Sequence, residues 1–372
     1  MIDSLTSPDE QRTLDTQYVA LSVQKRLLPV KITSFYRRKV TEEISILRHT
    51  DGPLHRAVFP SRERLMLRAP GEVPDFVHDR DNMEALVGGT IIRKYHNRIL
   101  FLPTSECISN CQYCFRQDML SEKKQEESLL QERLRGLLEY LSDRPEIYEV
   151  ILSGGDPMML SFGKLKEVLE GIASVGTIQA VRMHTRGMIF NPRVFTEDKM
   201  SLLGEHRVRV VHHSIHPYEI CDEVQRCIDR LHTYNVRLYN QFPILRKIND
   251  HIEVLTRHLH ILDSHGIRNL SIFIPDAIHY SAAFRMSIDR LFHIMDDFNK
   301  QTPAWINSTR FVLDTPYGKV RREDMVSYND ETGEAVFERS GHLISYLGLP
   351  KHMDEPGNLA TLLWRDSSLN HA

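Results

Sequence analysis

The chain has few cysteines and no excess of either charge, and each of these absences excludes a class of protein. Its 372 residues include 5 Cys, too few and too clustered for the disulfide framework of a small secreted domain, so we expect a reducing compartment. Basic and acidic residues number 47 and 50, for a formal net charge of -3. No global field would therefore attract nucleic acid or an anionic membrane, and a small-molecule substrate is the better expectation.

Signals for membrane insertion or export are missing as well. No apolar run approaches the roughly 20 residues needed to span a bilayer, and the segment from Met1 to Pro8 has neither the basic nor the apolar region of a signal peptide. We therefore expect a cytoplasmic protein without a membrane partner. The length and a hydrophobic content of 41% suit one catalytic domain with appendages.

Three of the five cysteines lie in one short loop, Cys107-Ile-Ser-Asn-Cys111-Gln-Tyr-Cys114-Phe-Arg116. Thiolates at such short spacing favour zinc or an iron-sulfur cluster, because these are the metals that soft sulfur ligands select. A zinc site would need a fourth ligand nearby, and neither Cys221 nor Cys227 belongs to a second C-x2-C pair. Three ligands on a four-iron cluster would leave one iron open. A partial zinc site and buried structural thiols remain the alternatives.

From Ile99 onward, short apolar runs alternate with longer amphipathic stretches, which predicts strand-helix units around a parallel sheet. Six units are too few for a closed eight-stranded barrel. We therefore predict an α/β fold with a partial, open (β/α)6 barrel, whose active site lies at the carboxyl ends of the strands. The six predicted strands are 99–102, 149–153, 179–184, 207–215, 237–242 and 269–274.

The flanking sequences differ from this alternating region. Helical spacing of apolar residues up to about residue 50, followed by recurrent proline and glycine, predicts a helical and then irregular amino-terminal region. Beyond about residue 302 the alternation stops, and a strand-like run and a hairpin near Asn329 to Gly333 follow. The predicted divisions are 1–95 for the amino-terminal region, 96–302 for the partial barrel and 303–372 for a carboxyl-terminal extension.

Polar residues follow each predicted strand at the end where a barrel active site would lie, whereas chance would scatter them over both ends. Two adjacent glycines after the second strand would let the backbone approach a ligand closely, because they carry no side chains. The histidines after the fourth strand could line a pocket or be structural. In chain order these residues are the cysteine loop, Gly154-Gly155-Asp156, Arg186, His213 and His216, Asn240 and Gln241, and Asp276.

The span from about residue 32 to 346 resembles the lysine 2,3-aminomutase family, which are radical S-adenosylmethionine (SAM) enzymes that also bind pyridoxal phosphate (PLP). The cysteine loop has the C-x3-C-x2-C spacing of radical SAM enzymes. The further matches are Arg98-Ile-Leu-Phe-Leu, Ile151-Leu-Ser-Gly-Gly-Asp156, His213-Ser-Ile-His216-Pro-Tyr-Glu219 and Asn240-Gln-Phe-Pro-Ile-Leu-Arg246. The resemblance implies a [4Fe-4S] cluster on Cys107, Cys111 and Cys114, with SAM on the open iron.

The resemblance also implies roles for individual residues. Tyr113 would lie against the adenine of SAM, the glycines would hold its amino group, Lys94 and Arg186 would lie near the PLP phosphate, and Lys319 would hold PLP covalently. The complete set of implied cofactor contacts is Tyr113, Ser153, Gly154, Gly155, Asp156, Lys94, Arg186, His213, Gln241 and Lys319.

For the substrate, the resemblance implies that Arg116 pairs with the carboxylate, a task suited to a bidentate guanidinium. Asp276, nine residues before Arg285, and Asp314 match the two aspartates that face the side-chain ammonium in the lysine enzymes. Two carboxylates would repel an acidic side chain and leave a neutral one unable to offset their burial. A cationic substrate follows, lysine first and arginine second.

Two departures from the family pattern bear on the cofactors. The family has a glycine-rich run before the PLP lysine, whereas this chain reads Asp314-Thr-Pro-Tyr-Gly-Lys319 with a single glycine. Its well-studied members carry zinc-binding cysteines near the carboxyl terminus, and none follows Cys227 here, so we expect no such zinc.

The implied activity is that of a 2,3-aminomutase, an isomerase that converts an α-amino acid to its β-amino acid. The implied partners are an amino acid substrate and an external electron donor of the flavodoxin or ferredoxin type; a homo-oligomer is possible. The alternatives are a relative without PLP that performs other radical chemistry, and a non-enzymatic iron-sulfur protein.

Overall fold

The structure, a computed structural model, describes residues 8–84, 89–122 and 130–366. Its amino-terminal part is helical, as predicted, with α1 (Pro8–Lys25), α2 (Ser34–Leu47), α3 (Pro53–Val58) and α4 (Arg62–Met66). Helix α2 begins where Thr33 accepts a hydrogen bond from the backbone of Tyr36, an ordinary amino-terminal cap.

The centre of the molecule is an eight-stranded sheet whose strands lie in chain order. Strands β2 to β8 run parallel, and β1 pairs antiparallel with β2. The six predicted strands are confirmed as β2 to β7. The strands are β1 (Ile91–Tyr95), β2 (Arg98–Thr104), β3 (Glu149–Gly154), β4 (Ala180–Thr185), β5 (Arg209–His212), β6 (Arg237–Pro243), β7 (Arg268–Phe273) and β8 (Arg310–Val312).

Helices follow the strands and cover the outer face of this sheet. Alternation within a strand sends successive side chains to opposite faces. On β3, Val150 and Leu152 are fully buried in the apolar core, whereas Ile151 and Ser153 face the interior cavity. The helices in this region are α5 (Gln117–Ser121), α6 (Leu130–Ser142), α7 (Phe162–Ala173), α8 (Gly187–Phe190), α9 (Glu197–Glu205), α10 (Asp222–Thr233), α11 (Ile252–Ser264), α12 (Ile288–Gln301) and α13 (Ala304–Asn307).

The sheet is larger than the sequence predicts because each flanking region contributes a strand. Strand β1 comes from the amino-terminal region, and β8, which we placed in the carboxyl-terminal extension, pairs parallel with β7. The order of strands runs from β1 to β8, and within the described ranges the two edge strands do not pair with each other. The partial, open barrel is therefore confirmed.

The carboxyl-terminal extension forms a separate antiparallel sheet of β9 (Met325–Asn329), β10 (Glu334–Arg339) and β11 (His342–Leu347). Its first turn, closed by the bond from Gly333 N–H to the Asn329 carbonyl, is the predicted hairpin. The last described helix is α14 (Leu359–Leu362). No helix in the described part of the chain combines the length and the apolar character needed to cross a membrane.

The amino-terminal region fixes the position of the cysteine loop. The N–H of Asn110 donates to the Lys31 carbonyl, and that of Gln112 donates to the Ala57 carbonyl, both at 2.9 Å. The buried Arg64 side chain also binds the Gln112 side chain, at 3.1 Å. Segments that lie far away in the sequence thereby hold a loop that has no regular structure of its own.

Candidate active site

A cavity of about 290 Å³ lies inside the partial barrel at the carboxyl ends of its strands. It brings together most of the site residues predicted from the sequence. The predicted residues that line it are Lys94, Cys111, Tyr113, Cys114, Arg116, Ser153, Arg186, His213, Gln241, Asp276, Asp314 and Lys319. Among the other lining residues, which the sequence did not indicate as site residues, are Asp79, Arg98, Arg182 and His184.

The cysteine loop has three free thiols, and Cys111 and Cys114 line this cavity whereas Cys107 does not. Burial raises the pKa of Cys114 to about 12 and also raises the pKa values of Cys107 and Cys111. Among the described residues, no three His, Cys, Asp or Glu side chains are grouped around a single metal position. Three soft ligands on one loop nevertheless fit a cluster, in which each thiolate binds a different iron.

Arg186 contacts the cysteine loop, which differs from the implied role near a phosphate. One of its terminal nitrogens donates to Cys111 Sγ at 3.5 Å, and the other binds the carboxylate of Glu219. Both residues of this ion pair are buried, and the negative charges of Glu219 and Cys111 raise the pKa of Arg186 against the effect of burial. With its charge paired in this way, Arg186 is a poor candidate to bind a phosphate.

The two glycines at the carboxyl end of β3 are required by close contact between chain segments. Gly154 has a φ of +103°, and a Cβ at Gly155 would lie 2.3 Å from the Glu106 carbonyl oxygen, so no side chain is tolerated there. The N–H groups of Gly155 and Asp156 donate to the carbonyls of Thr104 and Glu106. What this turn can offer to the amino group of a ligand is therefore its carbonyl oxygens.

Asp156 connects strand ends within the protein instead of presenting a free carboxylate to a cofactor. Its Oδ1 accepts from Thr185 Oγ1 at 2.7 Å and from the N–H of Met158 at 3.0 Å. Its Oδ2 accepts from the N–H of Arg186 at 3.0 Å. This arrangement differs from the implied cofactor contact, since both oxygens already serve to join the end of β3 to the end of β4.

Tyr113 provides a polar atom that the protein leaves unsatisfied. Its ring packs edge-on against Phe284, and its buried hydroxyl has no partner among the described residues. A buried polar atom without a partner is costly. A ligand in the cavity that bonds to this hydroxyl would remove the cost. The implied contact of the Tyr113 ring with the adenine of SAM stays a prediction.

Gln241 links two histidines that face the cavity. Its Nε2 lies 3.2 Å from His184 Nδ1 and 3.2 Å from His213 Nε2. Burial lowers the pKa of His213 to about 3 and places that of His184 well below its usual range. Both imidazoles are therefore neutral at pH 7.

His216 and Asn240 serve the structure. His216 Nε2 lies 3.0 Å from the Leu362 carbonyl, and His216 is fully buried away from the cavity. Asn240 is equally buried and bonds to both the N–H and the carbonyl of Ser214. Of the two histidines after the fourth predicted strand, only His213 lines the cavity.

Arg116 is held in place by a buried carboxylate that the sequence did not reveal. Asp79 Oδ2 accepts from Arg116 Nε at 2.7 Å, and Asp79 Oδ1 binds Lys94 Nζ at 2.8 Å. Ser153 Oγ accepts from Arg116 Nη1 at 3.0 Å. Desolvation opposes the charge on Asp79, yet Arg116 and Lys94 together keep its pKa below the usual value. No local pattern around Asp79 marks it as part of the site.

Asp276 and Asp314 face the same cavity from the ends of β7 and β8. Within the described ranges, neither carboxylate has a hydrogen-bond or ion-pair partner. Burial raises the pKa of Asp276 well above its usual range, and the negative charge of Asp314 raises it further. Lys94 opposes this rise without cancelling it, and Asp314 interacts electrostatically with Lys319. A bound cation would offset more of the negative charge on the pair.

Lys319 also reaches this cavity, although its loop has only one glycine. Leu313 and Val320 exchange two backbone hydrogen bonds of 2.9 Å, which close the loop at its base. Gly318 has a φ of +109°, a left-handed conformation that favours glycine. The Lys319 ammonium lies 4.6 Å from the centre of the Phe273 ring, and burial lowers its pKa. The short loop thus directs Lys319 into the site.

Arg98 and Arg182 supply positive charge close to Lys319. Both line the cavity, and both contribute to the lowered pKa of Lys319 after the effect of burial. The buried Nε–H of Arg182 has no partner among the described residues. These two arginines fit a phosphate group beside Lys319, since fixed guanidinium groups suit phosphate recognition. Arg98 begins the Arg98-Ile-Leu-Phe-Leu motif of the family resemblance, but nothing in the sequence predicts that it lies beside Lys319.

Comparison with known proteins agrees with this geometry. Residues 101–259 match the family model of the Radical SAM superfamily. The L-lysine 2,3-aminomutase of Buchnera aphidicola subsp. Baizongia pistaciae (strain Bp) is 29% identical over 284 residues, which cover 71% of this chain and 80% of that protein. The L-lysine 2,3-aminomutase of Escherichia coli (strain K12) is 27% identical over 302 residues, which cover 79% and 84%.

Among solved structures, Streptococcus suis SuiB bound to S-adenosylmethionine is similar to this chain with a TM-score of 0.44 and 12% sequence identity. The similarity covers 63% of this chain and 54% of that chain.

Proposed function

Because the chain contains a radical SAM domain and is homologous to the L-lysine 2,3-aminomutases, we propose that it is a SAM- and PLP-dependent 2,3-aminomutase. The proposed substrate is a cationic α-amino acid, lysine first and arginine second. One observation carries this proposal: Lys319, Arg116 and the unpaired carboxylates of Asp276 and Asp314 line the same cavity as the cysteine loop. When bound, the cluster and SAM would supply a hydrogen-abstracting radical, and PLP would carry the migrating amino group.

The residues around Lys319 support a PLP site. Burial and two nearby arginines favour the neutral amine of Lys319, the form that attacks an aldehyde. Arg98 and Arg182 would hold the phosphate. Arg186 is paired with Glu219 and Lys94 with Asp79. Within the described ranges Arg98 has no ion-pair partner, and Arg182, whose Nη2 binds Glu149 at 3.1 Å, keeps a buried Nε–H without a partner. Arg98 and Arg182 therefore replace Arg186 and Lys94 in our assignment of the phosphate contacts.

Arg116 is placed to hold the substrate carboxylate. A guanidinium has five N–H donors; Asp79 uses the one on Nε, and Ser153 uses one on Nη1. The remaining donors on Nη1 and Nη2 would form the two parallel bonds of a bidentate contact. Asp79 fixes the plane of this guanidinium and therefore the direction in which the carboxylate binds.

Asp276 and Asp314 would select the substrate by charge. A lysine ammonium or an arginine guanidinium would offset one of the two negative charges and lower the pKa of Asp276. A glutamate side chain would add a third negative charge, and an alanine side chain would leave the carboxylates buried without compensation. The positions of Arg116 and of this pair set the two ends of the substrate site.

The proposal is tested with the full-length protein after anaerobic reconstitution with iron, sulfide, SAM and PLP. A flavodoxin- or ferredoxin-type donor, or dithionite, supplies the electron. Lysine, arginine, glutamate and alanine compete in one mixture, and mass spectrometry follows each β-amino acid. We expect β-lysine to form fastest and β-arginine second. Preferential turnover of glutamate or alanine would contradict the charge selection, and SAM cleavage without any β-amino acid would contradict the aminomutase assignment.

A further inference from the structure

A second cavity, of about 750 Å³, lies at the opposite end of the barrel. Arg98, Arg268 and Arg310, the first residues of β2, β7 and β8, line it. Arg321 and Arg339 of the carboxyl-terminal extension complete the rim. We call this cavity the rear cleft, because the cysteine loop lies at the other end of the strands.

The rear cleft reaches Lys319. Five residues line both this cleft and the active-site cavity: Tyr95, Arg98, Arg182, Gln241 and Lys319. Lys319 can therefore be approached from either end of the barrel. The cysteine loop borders the front end, so a bound cluster and SAM would occupy that side.

The rear cleft is positively charged. Its two acidic residues, Glu323 and Asp324, both bind Arg321. Glu323 accepts a hydrogen bond from the Arg321 side chain at 3.2 Å, and Asp324 accepts one from the backbone N–H of Arg321 at 2.8 Å. Within the described ranges, Arg98, Arg268, Arg310 and Arg339 have no ion-pair partner. The last three of these side chains are exposed at the rim, where they meet an approaching ligand first.

We propose that the rear cleft is the route by which a phosphorylated aldehyde cofactor reaches Lys319, with Arg268 and Arg310 attracting its phosphate. This inference rests on the proposed function, because it requires that PLP binds to Lys319. A cleft lined by charges of one sign concentrates the opposite ion and raises its association rate by about 10- to 1,000-fold. Arg98 and Arg182 lie further in, beside Lys319, where the phosphate would come to rest.

The covalent step at the end of this route needs no additional reactant. Lys319 Nζ attacks the aldehyde carbon, a carbon–nitrogen double bond replaces the carbon–oxygen bond, and the oxygen leaves as water. The amine supplies both protons of that water when it attacks in its neutral form. The lowering of the Lys319 pKa by burial favours this neutral form.

The test measures the rate at which PLP binds covalently to protein that already holds its cluster and SAM, followed by the change in PLP absorbance. The variants are Arg268→Glu, Arg310→Glu and the double variant. The matched control is Arg135→Glu, an exposed arginine on α6 away from both cavities. We expect the double variant to lose about tenfold or more in association rate at low salt, and the control to stay within about twofold.

Three further measurements distinguish an effect on the access of PLP to Lys319 from other effects of the substitutions. The difference between the double variant and the wild type should shrink as salt rises, because salt screens exposed charges. Pyridoxal, which lacks the phosphate, should react with all variants at equal rates. The final amount of bound PLP should be unchanged, because Lys319, Arg98 and Arg182 remain. If a glutamate variant does not take up the cluster, the milder Arg268→Ala and Arg310→Ala variants are measured in its place.

Each outcome is informative. Equal PLP rates in the wild type and the double variant, or equal slowing in the Arg135→Glu control, would overturn the access route and leave the aminomutase proposal intact. Strong inhibition of PLP binding by preloaded SAM would place access at the front end instead. A wild-type protein that takes up no PLP would overturn both proposals.

Discussion

Arg186 donates a hydrogen bond to Cys111 Sγ at 3.5 Å while its other terminal nitrogen pairs with Glu219. A proposed cluster ligand is thus in contact with a buried cation that is itself fixed by a buried carboxylate. Hydrogen bonds to cluster sulfurs and nearby charge are the protein's means of setting a cluster potential.

The first prediction concerns the reduction potential of the cluster. Reduction adds a negative charge, which the Arg186 guanidinium stabilises. Arg186→Gln should therefore lower the midpoint potential, and Arg186→Lys, which retains the charge, should lower it less. A redox titration followed by electron paramagnetic resonance measures this; equal potentials in all three proteins would rule out the effect.

The same variants need a stability control, because removing one partner of a buried ion pair typically costs about 3–5 kcal/mol. Arg186→Gln should be strongly destabilised, since Glu219 would remain buried without its cation. The double variant with Glu219→Gln should recover part of the loss in denaturant unfolding. Because Glu219→Gln also removes a negative charge near Cys111, the double variant should have a higher potential than Arg186→Gln, and a potential that follows charge in this way does not arise from misfolding.

The second prediction is that Cys107, Cys111 and Cys114 together bind one oxygen-sensitive four-iron cluster. Anaerobic reconstitution of the variant with all three replaced by alanine should give protein without cluster absorbance. The matched control, Cys221→Ala with Cys227→Ala, should take up iron and sulfide normally. A full cluster in the triple variant would remove the basis for assigning radical SAM chemistry to this loop.

The third prediction is that PLP binds covalently to Lys319. Borohydride should fix the pyridoxyl group to this residue, and peptide mapping should find it there and not on Lys94, the other lysine of the cavity. Lys319→Ala should abolish the label and leave the cluster spectrum unchanged. Labelling of another lysine in protein loaded with PLP would refute the assignment.

The fourth prediction is that Asp276→Asn and Asp314→Asn each weaken the use of lysine by more than tenfold. Removing one partner of a buried charged contact costs about 2–5 kcal/mol, and the substrate ammonium would lose one of its two carboxylates. The kcat/KM for lysine measures the effect. Asp296→Asn, an exposed residue on α12, is the control; unchanged kcat/KM in both site variants would show that the ammonium binds elsewhere.

The fifth prediction concerns pH. Burial lowers the pKa of Lys319. The rate of covalent PLP binding should increase with pH as the amine loses its proton, and it should reach its plateau at a lower pH than for a free lysine. The negative charge of Asp314 raises this pKa and the positive charge of Arg182 lowers it. Asp314→Asn should therefore shift the profile to lower pH and Arg182→Gln to higher pH. Shifts in the same direction would contradict the electrostatic account.

Local patterns in the sequence determined several features of this protein. The spacing of Cys107, Cys111 and Cys114 predicts a ligand loop by itself, because all three residues lie within one short segment. The alternation of apolar strands and amphipathic helices predicted β2 to β7 and the open barrel. Burial of one face of a helix or strand imposes a regular spacing of apolar residues, and this spacing is visible within a short stretch of sequence.

Only the tertiary structure decided which charges meet. Asp79 contacts Arg116 and Lys94, and Arg186 turns from the implied phosphate site to Cys111 and Glu219. These contacts join segments that are far apart in the chain, and no local period encodes them.

The sequence also did not predict that β8 belongs to the main sheet. A three-residue strand gives little signal of its own, and its place is set by pairing with β7. That pairing brings Asp314 beside Asp276 and Lys319 beside Arg182. The sequence predicted individual residues of the candidate site, such as Asp276, Asp314 and Lys319. Their positions relative to one another depend on parallel pairing between strands that are far apart in the chain. Hydrogen bonding between strands depends on the whole sheet, so no local pattern predicts it.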